Sequence, residues 1–205
     1  EILHECLKKA DVGINAGYAV VYECVRTITN IYPNPTLLDA AAEAIARFIG
    51  SRSNNLKYLG VTGLAAIVES HPQYAAAHQL AVMDCLEDPD ETLQRKTLDL
   101  LYRMTNPVNV EFITEKLLDF LRGTSDDFLK KDLTHRVCNV SERYAPNNAW
   151  YMKTISNLLE ISGEYVPVEV APNLLSLIAE GGDTEEESML LRQNAVELYA
   201  ELLDK

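Results

Sequence analysis

The sequence predicts an all-α fold in which short helices stack in pairs, and three observations support this prediction. Apolar residues make up 47% of the chain and aromatic residues only 7%, with Ala and Leu dominant, a composition that favours helices over sheets. The apolar residues recur at positions i, i+3, i+4 and i+7, and no segment alternates with the period of two that is typical of a strand. The third observation is a weak internal repeat.

Along the chain, these apolar patterns are separated by short turns. The candidate helices span roughly residues 1–9, 17–30, 36–50, 54–70, 72–87, 90–106, 109–122, 125–144, 147–162, 167–180 and 185–204. Three of them carry a clear core-facing stripe. The stripes are Leu38, Ala41, Ile45, Phe48 and Ile49; Leu93, Thr97, Leu100, Leu101 and Met104; and Val110, Ile113, Leu117 and Leu121.

The helix starts are predicted from polar residues whose side chains accept hydrogen bonds from the first free N–H groups. Thr36, Asp90 and Ser125 are the predicted N-caps, and Thr184 with Glu187 matches a capping box. The predicted stops are dipeptides that disfavour a continuing helix. They are His71-Pro72, Asn106-Pro107, Ala145-Pro146 and Gly181-Gly182.

The internal repeat defines the architecture. "NLKYLGVTGLAAI", starting at Asn55, aligns with "TLQRKTLDLLYRM", which starts 37 residues later at Thr92, so that Leu64 falls on Leu101. One helical hairpin cannot bury both faces of its helices, whereas stacked hairpins can. The expected fold is therefore an α-α superhelix, a solenoid of the HEAT or armadillo type. Residues 1–205 are expected to form one solenoid segment, and their helical patterns at both ends indicate a fragment of a longer chain.

The net negative charge of the chain argues against two classes of partner. The net charge of −13 argues against nucleic acid, because phosphate binding requires a basic face, and against direct contact with an anionic membrane. No uncharged apolar run reaches the length of a membrane span. Four scattered cysteines without a CxxC pair are interpreted as reduced and mostly buried thiols.

The sequence contains no recognisable catalytic, cofactor-binding or metal-ligating motif. None of the four histidines lies in an HExxH motif, and no cofactor is predicted. Gly60 and Gly63 lie on the apolar face of a candidate helix and are interpreted as positions of close helix packing. The acidic stretch "EDPDE" is interpreted as a polar turn in which Asp90 caps the next helix.

One helix face is a candidate partner-facing surface. Arg95, Asp99 and Arg103 are spaced by four residues along a helix, so they share one exposed side and can form i,i+4 ion pairs. Trp150 lies early in another helix and is interpreted as a packing anchor rather than a ligand-stacking platform.

Four segments of the sequence resemble a known family. They are "NNLKYLG" (54–60), "HQLAVMDCLEDPDETLQRKTLDLLYRMTN" (78–106), "ERYAPNNAWYMKTI" (142–155) and "VAPNLLSLIAEG" (170–181). The amino-acid sequences of these segments, their order and their spacing are similar to those of the trunk of the large adaptins, over roughly residues 40–182. Within that family they are most similar to the epsilon chain of the fourth adaptor complex, with the gamma chain next.

The resemblance implies a scaffold and not an enzyme. Large-adaptin trunks cradle a small sigma chain and assemble with a beta-type large chain and a mu chain. The complexes are cytoplasmic and peripheral on trans-Golgi network and endosomal membranes, where they sort cargo in vesicle-mediated transport. The resemblance implies a middle-to-C-terminal piece of the trunk, with membrane association only through the assembled complex, and it assigns no binding residue.

Two alternatives are kept. Another HEAT-repeat scaffold, such as a coatomer-like coat chain or a phosphatase regulatory subunit, has the same hairpin pattern. An enzyme built on helical repeats is supported only by the acidic turns, and the charge balance opposes one that acts on nucleic acid.

Overall fold

The computed structural model describes residues 2–10, 15–32, 34–182 and 184–203, and within these ranges the regular structure is helical, without a strand. The chain divides into two compact units, Glu1–Met104 and Thr105–Lys205. Each unit is all-α, and its helices pack against their neighbours in sequence and against next-but-one helices. This is the packing of the α-α superhelix class, so the predicted fold class is confirmed.

In the first unit, α1 to α4 pack in sequence, α4 also packs on α2 and α6, and α5 packs on α3 and α6. Its helices are α1 (Ile2–Ala10), α2 (Asn15–Asn30), α3 (Pro35–Ile49), α4 (Asn54–Ser70), α5 (Ala75–Asp84) and α6 (Glu91–Met104). In the second unit, α8 packs on α7 and α9, and α11 packs on α9 and α10. Its helices are α7 (Val110–Gly123), α8 (Asp127–Tyr144), α9 (Asn148–Ser162), α10 (Val170–Glu180) and α11 (Glu185–Leu203).

The helix predictions agree with these bounds to within a few residues, with one exception. The single helix predicted over 72–87 is α5 flanked by two short 3₁₀ turns, Pro72–Tyr74 and Cys85–Glu87. The first turn closes through a hydrogen bond from the Tyr74 N–H to the His71 carbonyl, and it begins at Pro72, which has no N–H of its own to satisfy. The predicted helix ends at residues 1 and 204 lie outside the described ranges.

Two of the predicted helix caps are wrong. The α3 cap is Asn34, whose side chain accepts from the Leu37 N–H, because Pro35 is suited to the first helical position and the helix begins before Thr36. The α8 cap is Asp126 and not Ser125. By contrast, Asp90 accepts from the Thr92 and Leu93 N–H groups, as predicted. Thr184 accepts from the Glu187 N–H, which is one half of the predicted capping box.

The α8 cap gives a first prediction. Asp126 accepts hydrogen bonds from the Phe128 and Leu129 N–H groups at 2.9 and 3.2 Å. We expect Asp126→Ala to lower the free energy of unfolding by about 0.5–2 kcal/mol, because those donors lose their acceptor. Ser125→Ala should change it by less than about 0.5 kcal/mol. Urea unfolding followed by circular dichroism measures both, and a larger effect at Ser125 would contradict the assignment of the cap.

The three predicted apolar stripes are buried in the core of their units. Gly60 and Gly63 lie where α4 packs on α3, so their interpretation as close-packing positions is confirmed. A Cβ atom at Gly60 would lie 2.7 Å from the backbone nitrogen of Ile49, and one at Gly63 would lie 2.5 Å from Cδ1 of Ile45. The cysteines are free thiols, and Cys24, Cys85 and Cys138 are buried.

Candidate interaction surface

The predicted surface residues lie on the side of α6 that faces away from its core stripe. Leu93, Leu100 and Leu101 are at most 1% exposed, whereas Arg95 and Arg103 are exposed and Asp99 is half-buried. The helical period of 3.6 residues therefore separates a core face from a charged face on the same helix.

This charged face also includes a residue that sequence reasoning missed. Nη1 of Arg103 lies 3.3 Å from Oε2 of Glu69 at the end of α4, and Nη2 lies 3.8 Å from Oδ2 of Asp99. Glu69 was missed because it is 34 residues away in sequence and reaches Arg103 only through the packing of α4 on α6. We call Glu69, Arg95, Asp99 and Arg103 the α4–α6 polar surface. Exposed ion pairs of this kind stabilise a fold by only about 0–1 kcal/mol, so this surface contributes little to the stability of the first unit.

The acidic turn before α6 is more organised than the sequence indicated. Asp88 is only 7% exposed, and its Oδ2 lies 2.6 Å from Nζ of Lys57 on α4. Its Oδ1 accepts from the Asp90 N–H at 3.1 Å. The Gln94 side chain donates to the carbonyls of Leu86 and Asp88, which satisfies the backbone of the turn. The turn that precedes α6 is thus held to α4, which fixes the two helices that carry the α4–α6 polar surface.

These bonds shift two pKa values. The hydrogen bonds from Lys57 and then from the Asp90 N–H hold the pKa of the Asp88 carboxyl below its usual 3.8. The bond to Asp88 also raises the pKa of Lys57 above its usual 10.5. Asp88 therefore contributes stability above pH 3.8 that is lost as the pH falls through its folded pKa. Lys57 contributes stability below pH 10.5 that is lost as the pH rises through its folded pKa.

We predict that Asp88→Asn lowers the free energy of unfolding at pH 7 and makes it less dependent on pH as the pH falls below 3.8, the usual pKa of an aspartate. The variant lacks the carboxylate that Lys57 stabilises. Acidification therefore removes less of its free energy of unfolding than it removes from the unaltered chain. Urea titrations at several pH values measure both effects. The matched control is Asp119→Asn, which removes an exposed pair with Arg122 at 2.8 Å. Equal effects of the two variants would contradict a structural role for the Lys57–Asp88 pair.

Among the described residues, no group of three or more His, Cys, Asp or Glu side chains is arranged to hold a metal ion. In the same part of the chain, every helix is either too short or too polar to cross a bilayer. The described residues form packed helices with charged outer faces, an arrangement typical of helical-repeat proteins.

Comparison with known proteins places this scaffold in a family. A family model described as the adaptin N terminal region matches residues 1–192, and the chain belongs to that family. Over its whole length the chain is 43% identical to an AP-4 complex subunit epsilon of Arabidopsis thaliana and 38% identical to the human AP-4 complex subunit epsilon-1. Over 87% of its length it is 34% identical to an AP-1 complex subunit gamma of Dictyostelium discoideum. The resemblance to epsilon chains, with gamma next, is confirmed.

The chain spans only part of these relatives, covering 22% of the Arabidopsis, 18% of the human and 20% of the Dictyostelium protein. Among solved structures, the crystal structure of an engineered protein from a structural genomics consortium matches with a TM-score of 0.54 and 14% identity. That match covers 97% of this chain and 96% of the engineered one. At this identity the likeness concerns the fold alone.

Proposed function

We propose that this chain is a non-enzymatic scaffold segment of an adaptor-complex large subunit that acts in vesicle-mediated transport. The observation that carries the proposal is the adaptin N-terminal match over residues 1–192, on a chain whose two units are built of packed helices. Residues 1–205 then form one solenoid segment of a longer trunk. The cytoplasmic complex sorts cargo at the trans-Golgi network and endosomes, and it reaches those membranes through its assembled subunits.

The proposed partners are the sigma, beta and mu chains of the same complex. Two relatives are named as subunits of AP-4 complexes and one as a subunit of an AP-1 complex, which supports partners of the adaptor type. A scaffold of this kind needs no cofactor. Its contribution is to hold partner-binding faces at fixed positions through the packing of successive helices.

We further propose that the α4–α6 polar surface, with Arg95, Asp99 and Arg103 at its centre, faces one of these partner chains. The turn at Asp88 and the packing of α4 on α6 hold the surface in place, while its side chains remain accessible. Charged side chains at the edge of an interface mainly select the partner and accelerate association.

Tagging the chain in cells and identifying the co-purified proteins tests both proposals. We expect sigma, beta and mu adaptor chains, and we expect the double charge reversal Arg95→Glu with Arg103→Glu to weaken their binding about tenfold through like-charge repulsion. Arg26→Glu, on the exposed side of α2, is the control and should leave recovery unchanged. Recovery of coatomer chains or a phosphatase catalytic subunit instead would overturn the adaptor assignment. Full recovery with the double variant would overturn only the surface assignment.

A further inference from the structure

The second unit contains an open groove of about 540 Å³ between α7 and α9. We call it the α7–α9 groove. One wall is formed by α7, with Glu111, Glu115 and Asp119 along it, and the other by α9, with Trp150 and Lys153. The groove lies outside the α4–α6 polar surface, and the scaffold function described above makes no use of it.

The floor of the groove contains a buried hydroxyl without a partner. Thr114 is 1% exposed, and its Oγ1 has no hydrogen bond within the part of the chain that the structure describes. Other buried helical threonines donate to the carbonyl four residues earlier, as Thr97 does to Leu93 and Thr134 to Lys130. Leaving a buried polar group unpaired costs free energy, so a ligand group that pairs with Thr114 recovers that free energy.

The α7 wall carries negative charge that is not neutralised. Asp119 is paired with Arg122 at 2.8 Å, but Glu111 and Glu115 are exposed and form no ion pair with any described residue. They are four residues apart, a spacing at which two like charges on a helix destabilise each other. A cation placed between these two carboxylates would relieve that repulsion, and the only unpaired positive charge on the described lining is Lys153.

The opposite wall presents an aromatic surface. Trp150 is half-buried and lines the groove, so part of its indole ring is accessible from the groove. The indole face is the aromatic surface that attracts cations most strongly. Phe112, 36% exposed on α7, adds apolar area beside it.

We propose that the α7–α9 groove binds an arginine side chain presented by an exposed segment of a partner protein. The planar guanidinium stacks on Trp150 and donates to the carboxylates of Glu111 and Glu115. Oγ1 of Thr114 is shielded from solvent in the unliganded groove, and a rotation of that side chain about χ1 brings it to a further N–H group of the guanidinium. Lysine fits less well, because a compact ammonium does not stack and cannot fork between two carboxylates and a hydroxyl. An anionic or wholly apolar segment would leave the two glutamates facing a like charge or no charge.

The single tryptophan of the chain makes this proposal directly testable. Because Trp150 lies in the groove, its fluorescence reports binding of a capped pentapeptide, Gly-Ser-Arg-Ser-Gly, titrated into the full chain. We expect a saturable change with this peptide, a weaker one with the lysine version, and none with versions that carry citrulline or glutamate. Equal responses to arginine and citrulline, a stronger response to glutamate, or no saturable response to arginine at millimolar concentrations would each overturn the proposal.

Variants separate binding from folding. Glu111→Gln and Glu115→Gln should each weaken arginine-peptide binding about three- to tenfold, while Glu43→Gln, an exposed glutamate on α3, serves as the control that changes nothing. Thr114→Val should weaken binding without lowering stability, since it removes an unpaired hydroxyl and keeps the shape of the side chain. Undiminished binding in both glutamate variants would overturn the proposal. These titrations contain none of the proposed sigma, beta and mu partners, so their failure is distinguishable from failure of the adaptor assignment.

Discussion

Replacing Leu101 by alanine is expected to lower the free energy of unfolding by about 2–5 kcal/mol. Leu101 is 0% exposed and lies on the core face of α6, which packs on α4 and α5. Truncation removes buried apolar surface and leaves a cavity that the neighbouring helices fill only in part. Urea unfolding of the variant and the unaltered chain, followed by circular dichroism, measures the difference.

Asp99→Ala is the control for this prediction, since Asp99 lies two residues earlier on the opposite face of α6. Its side chain is 38% exposed and faces Arg103 at 3.8 Å, a pair that contributes little to stability. We expect a change of less than about 0.5 kcal/mol. Comparable losses at Leu101 and Asp99 would show that the core and outer faces of α6 are wrongly assigned.

The second large effect is expected where α4 packs on α3 through Gly60. A Cβ at this position would lie 2.7 Å from both Cγ1 and the backbone nitrogen of Ile49. Because a backbone atom cannot rotate away, Gly60→Ala requires the two helices to separate. We expect a loss of about 1–3 kcal/mol in the free energy of unfolding, of the size typical of an overpacked core.

Gly63→Ala, in the same helix, is the matched comparison. There the new Cβ meets Cδ1 of Ile45 at 2.5 Å, which is the end of a flexible side chain. Alanine stabilises a helix by about 0.8–1 kcal/mol relative to glycine at either position, and at Gly63 this gain offsets much of the smaller rearrangement. Gly63→Ala should therefore be the milder change, and the reverse order of stabilities would contradict this account of the α3–α4 contact.

Features set by local periodicity were predictable from the sequence. The stripe of α6 and its charged face follow from a period of 3.6 residues, and the structure places both as predicted. The caps at Thr36 and Ser125 were wrong because neighbouring polar residues compete for the same role. Asn34 caps α3 because Pro35 is the first residue of that helix. Asp126 caps α8 because that helix begins at Asp127, one residue later than Ser125 would require.

Features that depend on the packing of helices distant in sequence were not predictable. The Lys57–Asp88 pair joins residues 31 positions apart, and the sequence around each one contains nothing that indicates the other. The same is true of Glu69 on the α4–α6 polar surface and of the α7–α9 groove. Trp150 was interpreted as a packing anchor, and its position on the lining of the groove became evident only from the packing of α9 beside α7.

Co-elution of this chain with adaptor chains is the most direct test of its proposed role as a scaffold. The chain would be co-expressed with sigma, beta and mu chains and passed through a size-exclusion column, with light scattering to determine the mass of each peak. We expect a stable peak in which this chain and at least the sigma chain elute together. With Leu101→Ala, we expect that peak to be lost at urea concentrations that unfold the variant but not the unaltered chain. A folded chain that elutes alone beside all three partners would contradict it.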